Sequence, residues 1–152
     1  MFQVYLAGPC DSDNRTMMVY IAGILRKLGF SLYCPFELKI PHAWDMSQED
    51  WAQEVFNKDI EAINECDFMI MISTGRKSTA GTNWEQGYAF ALKKPIYVFQ
   101  VTDAPTSLMT YCGCTSFYGR ENDIEKQLRS IAGEFFWGRD KERKEPCNTI
   151  LT

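Results

Sequence analysis

The sequence predicts a three-layer α/β sandwich in which a central parallel sheet is covered by helices on both faces. Three observations carry that expectation. Short apolar, β-prone runs alternate along the chain with longer segments of helical spacing. Glycine, proline and polar clusters separate the segments. The length of 152 residues suits one domain with a single core. Strands joined by helical crossovers return in the same direction, so the sheet is expected to be parallel and buried on both sides.

Residues 2–7 (FQVYLA) form the first expected strand, ended by Gly8-Pro9 and a polar loop over 10–15. Over 16–28 the apolar residues Met17, Val19, Tyr20, Ile21, Ile24, Leu25 and Leu28 recur at helical spacing, and Gly29 supplies a stop. A second strand over 30–33 ends at Cys34-Pro35. Residues 36–50 have no clear period and read as a long loop with room for a helical turn, a feature often tied to function. Trp51, Val55, Ile60 and Ile63 give a helix over 51–64, and 67–72 (DFMIMI) a buried strand. A polar loop over 73–83, a helix over 84–92, a buried strand over 95–100 and a loop over 102–113 follow. The last helix is expected over 124–136. The domain is thus placed at residues 1–137, followed by a charged tail over 138–152. No internal repeat is visible.

Composition excludes several function classes. A net charge of −4 argues against binding to polymeric nucleic acid, which needs a basic surface to displace counterions. Any bound phosphate must therefore meet a local site. The apolar runs 68–72 and 96–99 are too short to cross a bilayer, and the N-terminus shows no charged-then-apolar secretory pattern, so a cytoplasmic location away from membranes is expected. The six cysteines, Cys10, Cys34, Cys66, Cys112, Cys114 and Cys147, are scattered through a chain with evident core segments and read as free thiols. Cys112-Gly113-Cys114 is closer than the usual zinc pair, and His42 is the only histidine, so no metal site is expected.

In a sheet of this kind ligands bind at the carboxyl ends of the strands. That rule gathers the Gly8-Pro9 loop, the loop before Glu85 and the loop over 102–113 at one edge. Glu85 is read at the start of a helix, where the dipole favours a carboxylate anion. Taken alone, an acidic first-turn residue would only complement that dipole. Tyr5, on the first strand, is within chain-topological reach of it, and Gly87 and Ala89 would let the helix pack closely on the sheet. Asp59, eight residues ahead of Asp67, is a second acid. Breaking a glycosidic bond with retention takes a nucleophilic carboxylate and a proton donor, and two acids converging on one pocket would supply both.

Three segments, VYLAGP over 4–9, NKDIEAI over 57–63 and GTNWEQGYA over 81–89, together with Ser107-Leu108-Met109, resemble the nucleoside 2-deoxyribosyltransferases. The similarity spans about residues 3 to 130 in the family's order. It implies a flavodoxin-like (Rossmann-like) fold, with Glu85 as the nucleophile, Tyr5 positioning it and Asp59 assisting protonation of the departing base. It further implies a small-molecule nucleoside or nucleotide substrate, no cofactor, and substrate contacts from Gly8, Pro9, Gly81 and the stretch containing Glu37. The segment carrying Ser107 and Met109 would enter a neighbouring subunit's site, so a homodimer or higher homo-oligomer is expected.

Two departures bear on the substrate. The family's transferases usually have an acidic residue six places before the nucleophile and an asparagine before the Leu-Met pair, which hold a free 5′-hydroxyl. Here those positions are Thr79 and Ser107. Hydroxyls can donate to a 5′-phosphate that an aspartate would repel, and Arg76, Lys77 and, less directly, Arg15 could add positive charge. The pattern resembles the related nucleoside 5′-monophosphate N-glycosidases. The expectation is cleavage of a (2′-deoxy)nucleoside 5′-monophosphate through a glycosyl-Glu85 intermediate resolved by water. The alternatives are base exchange between free 2′-deoxynucleosides and a non-catalytic nucleotide sensor.

Overall fold

The computed structural model describes residues 1–138 and the backbone of Arg143–Lys144. In chain order its elements are β1 (Gln3–Ala7), α1 (Arg15–Lys27), β2 (Ser31–Tyr33), α2 (Gln48–Glu65), β3 (Phe68–Ser73), α3 (Ala80–Ala91), β4 (Ile96–Gln100), α4 (Leu108–Cys112), β5 (Ser116–Tyr118), α5 (Ile124–Trp137) and β6 (Arg143–Lys144). The strands lie in the order β2-β1-β3-β4-β5-β6, and every neighbouring pair is parallel. The first five strands have the flavodoxin-like order, which reverses between β1 and β3.

Side-chain parity divides the core. On β1 and β3, Val4, Leu6, Phe68, Ile70 and Ile72 turn to one face, where Ile21 and Leu25 of α1 and Leu128 and Ile131 of α5 cover them. Tyr5, Ala7, Met69 and Met71 turn to the other, against Ile63 of α2 and Ala89 of α3. Period-two alternation across a sheet buried on both sides makes all six residues of β3 inaccessible. Each such side chain contributes about 1.5–3 kcal/mol of burial.

Helices α1 and α3 leave the neighbouring strands β1 and β3 toward opposite faces, which opens a crevice at the carboxyl ends of those strands. Gly8 closes β1 there in close contact with α1 and β3, so a larger residue would require Met18 to shift. A Cβ on it would meet Met18 Cε at 2.7 Å and Ile72 Cβ at 3.2 Å.

Several boundaries differ from the sequence reading. Helix α2 starts at Gln48, because Ser47 accepts a hydrogen bond from the Asp50 amide at 3.0 Å and caps the helix. Helix α3 starts at Ala80, capped by Thr79 on the Thr82 amide. Glu85 therefore lies in the second turn of α3 rather than at a helix start, where the macrodipole would favour its anion. Gly87 is exposed with open space beside it, so Ala89 alone gives the close packing against the sheet. Helix α4 and strand β5 were not anticipated, since five and three residues are too few to show a period. The loop over 36–50 contains two 3-10 turns, Pro35–Glu37 and Ala43–Asp45, before α2 begins. Of the charged tail expected over 138–152, only Gly138 and the pair Arg143–Lys144 fall within the described residues.

Candidate active site

The face of the sheet under α2 and α3 carries two tyrosines from adjacent strands. Tyr5 and Tyr33 are register partners of β1 and β2, and their rings stack with centroids 5.4 Å apart and planes 20° from parallel. Each ring serves one acid. Tyr33 Oη donates to Asp59 Oδ1 at 2.7 Å. Tyr5 Oη faces Glu85, near enough for each to bias the other's ionisation but outside regular hydrogen-bond geometry. The structure thus brings together the three residues expected to be catalytic and adds Tyr33, which the sequence reading missed. The signal was available: a second tyrosine ends the strand next to the first.

Burial dominates the electrostatics. It pushes the Glu85 carboxyl up to about 7, with the Asp59 charge adding to the rise and Tyr5 opposing it. Glu85 Oε2 and Tyr5 Oη are the buried side-chain oxygens without a hydrogen-bond partner among the described residues. Asp59 is also raised by burial, while the Tyr33 hydrogen bond pulls it back. Both phenols are pushed well above the ordinary tyrosine value, first by burial and then by the two acids, so they stay neutral donors. The Cys10 thiol, just past Gly8-Pro9, is raised by burial and then by the charges of Glu85 and Asp59, so that loop lies near both acids without lining the cleft.

Asp59 and Glu85 open into a cleft of about 450 Å³ between α2 and α3, walled by Trp51, Val55, Phe56, Ile60 and Trp84, with Ala80 and Gly81 at one end. The wall explains the exposed side of α2. Of the apolar stripe that predicts the helix, only Ile63 is buried, and Trp51, Val55 and Ile60 line the cleft with it.

The other expected residues fall in different places. Thr79 caps α3, and its Oγ1 lies 2.8 Å from Thr82 Oγ1. Arg76 and Lys77 are exposed in the turn just before it. Arg15 lies with its guanidinium carbon 5.9 Å from the Phe36 ring centroid. The Glu37 carboxylate is held by both nitrogens of the Arg26 fork at 3.0 and 2.5 Å, which keeps it below the usual carboxylate range. Ser107 and Met109 do not share the Glu85 cleft. They line a separate groove of about 350 Å³ with Asn83, Gln86, Gly87 and Phe90, on the opposite flank of α3. Met109 is 74% exposed and Leu108 46%. Cys10, Cys34, Cys66, Cys112 and Cys114 are unpaired thiols, and Cys147 lies outside the described residues. Among the described residues no group of three or more His, Cys, Asp or Glu is arranged to hold a metal ion, and no helix is long and apolar enough to cross a membrane.

Comparison with known proteins bears on the family and the fold. The family model described as nucleoside 2-deoxyribosyltransferase matches residues 4–138. A 2-deoxyribosyltransferase from Bacillus psychrosaccharolyticus superposes with a TM-score of 0.73 at 27% identity, covering 83% of this chain and 90% of that one. The CMP N-glycosidase BcmB of Clostridium botulinum shares the fold at a TM-score of 0.56 and 18% identity, covering 85% and 97%. A conserved protein from Enterococcus faecalis does so at 0.57 and 18%, covering 97% and 92%. No curated protein was found that matches the sequence.

Proposed function

The chain belongs to the nucleoside 2-deoxyribosyltransferase family, and from that premise we propose that it cleaves the N-glycosidic bond of a (2′-deoxy)nucleoside 5′-monophosphate, with water as the final acceptor of the sugar. The observation that carries this reading is the pairing of Glu85 and Asp59 at one cleft, each facing its own tyrosine from the stacked Tyr5–Tyr33 platform.

In the first step a Glu85 carboxylate oxygen bonds to C1′ of the sugar. The C1′–N bond breaks, its electron pair goes to the base nitrogen, and the base takes the proton of Asp59. In the second step water adds to C1′, its proton returns to Asp59, and Glu85 leaves as a carboxylate. A carboxyl pushed up to about 7 is part anion near neutrality, and the anion is the form that can bond to C1′. Asp59, raised by burial, suits a group that must hold a proton before delivering it.

The phosphate assignment draws on the cleft end formed by Ala80 and Gly81 and on the exposed Arg76 and Lys77 in the turn that leads into it. Amides at a helix start and two cations favour an anion there. Ser107, on the far flank of α3, would reach the site from a second copy of the chain, as part of a homo-oligomer.

Base exchange between free 2′-deoxynucleosides is the second reading, favoured by the likeness at 27% identity to the Bacillus psychrosaccharolyticus transferase. Two incubations separate the readings: 2′-deoxynucleoside 5′-monophosphates in water, and a free 2′-deoxynucleoside with a second base. Release of base and sugar phosphate in the first supports hydrolysis. A new nucleoside in the second, with none of the first, would replace it. Glu85→Gln is expected to abolish either reaction, and undiminished turnover would remove Glu85 from the mechanism.

A further inference from the structure

Tyr33 lies where the sheet fixes it. Strands in a sheet are about 4.8 Å apart, so register partners on the same face meet ring to ring, and the Tyr33 ring is seated on Tyr5 at 5.4 Å. Cys34 and Pro35 end the strand immediately after it. Its hydroxyl position is therefore set by the β1–β2 pairing rather than by a loop. The partner is one oxygen of the acid. Asp59 Oδ1 accepts from Tyr33 Oη at 2.7 Å, while Oδ2 has no hydrogen-bond partner among the described residues.

We infer that Tyr33 is a positioning residue for the reaction: by occupying Asp59 Oδ1 it leaves Oδ2 as the oxygen that carries the proton and delivers it to the departing base. Tyr33 keeps its own proton throughout. The groups that face this pair are Tyr5 from β1, Glu85 from α3, Glu61 from α2 and Cys10 from the loop after β1. All are neutral or acidic, so Tyr33 is the donor that offsets the desolvation of Asp59. The inference rests on the reading of Asp59 as the acid.

The substitution Tyr33→Phe removes the hydroxyl and keeps the stacked ring. Two readouts follow, one of which needs no substrate. The Asp59 carboxyl carbon, followed by NMR against pH, is expected to titrate at higher pH in Tyr33→Phe than in the unmodified protein. An unmoved midpoint would overturn the inference whatever the substrate. In base release from the 2′-deoxynucleoside 5′-monophosphates, Tyr33→Phe is expected to lower kcat about tenfold, the worth of a hydrogen bond to a charged group, with KM nearly unchanged. In an Asp59→Asn background the same substitution should cost nothing more. An equal loss in that background would make Tyr33 a packing residue only. Loss of activity in Asp59→Asn without any in Tyr33→Phe would overturn the positioning role alone. Full activity in Asp59→Asn would instead overturn the acid assignment beneath it.

Discussion

Tyr5 and Glu85 are neighbours, and Tyr5 Oη and Glu85 Oε2 are both buried without a regular hydrogen-bond partner among the described residues. Two polar atoms held in that state are costly, at about 1–3 kcal/mol for each unsatisfied group. Fold stability alone would favour a better-paired arrangement. A pair left open beside a cleft fits the nucleophile role proposed for Glu85.

The first consequence concerns pH. With Glu85 as the proposed nucleophile only its anion could attack C1′, and its carboxyl is pushed up to about 7, so base release should rise with pH through that value. Tyr5 lowers the Glu85 value by facing the anion. In Tyr5→Phe the rising limb should therefore move to higher pH, with a lower rate at pH 7. A kcat/KM profile for both proteins checks it, and an unmoved limb would detach Tyr5 from Glu85.

The same shift predicts stability. The folded-state value of Glu85 is raised above its ordinary 4.5, so the neutral form is favoured by the fold. Its contribution is fully present below about pH 4.5 and is lost as pH rises through about 7. Glu85→Gln, permanently neutral, should therefore be more stable than the parent at pH 8, by up to about 3 kcal/mol, and nearly equal to it at pH 4.5. Urea unfolding at the two pH values measures the difference. A variant no more stable at pH 8 would mean that Glu85 is not desolvated.

Thr79 tests the phosphate. Aspartate caps a helix as well as threonine does, so Thr79→Asp should leave α3 intact. If a 5′-phosphate binds beside that cap, the new charge should lower kcat/KM for monophosphates by about tenfold or more while sparing free nucleosides. Equal effects on both would put the phosphate elsewhere.

Gly75 tests how the loop before α3 is held. Its φ is +72°, the Arg76 amide donates to Pro105 O at 2.7 Å, and a Cβ on Gly75 would meet that same oxygen at 2.9 Å. Gly75→Ala combines left-handed strain with a backbone clash and should cost roughly 2 kcal/mol or more of stability. It should also lower activity, since Ser73, Thr74 and Ser78 hydrogen-bond around this turn and set where α3 begins. Denaturant midpoints and turnover of the variant provide the check.

The strands β1 to β4, the helices between them and the parallel direction of the strands were legible because period and punctuation are local properties of the chain. Helix starts were not, although Ser47 and Thr79 stand three residues before Asp50 and Thr82 in capping spacing. An apolar period begins only where the first buried side chain falls, so the polar first turns of α2 and α3 were read as loop. That error moved Glu85 to a helix start and gave its ionisation the wrong cause.

By itself the sequence determined that Tyr5, Asp59 and Glu85 stand on a strand and two helices of a parallel α/β sheet, since those residues sit in segments whose form is set by their nearest neighbours. Only the tertiary structure decided what surrounds them. The β1–β2 register stacks Tyr33 on Tyr5 and aims it at Asp59, the packing of α2 against α3 desolvates Glu85, and Ser107 falls on the far flank of α3. Register, desolvation and flank are relations between segments far apart in the chain, and they exist only once the sheet has brought those segments together.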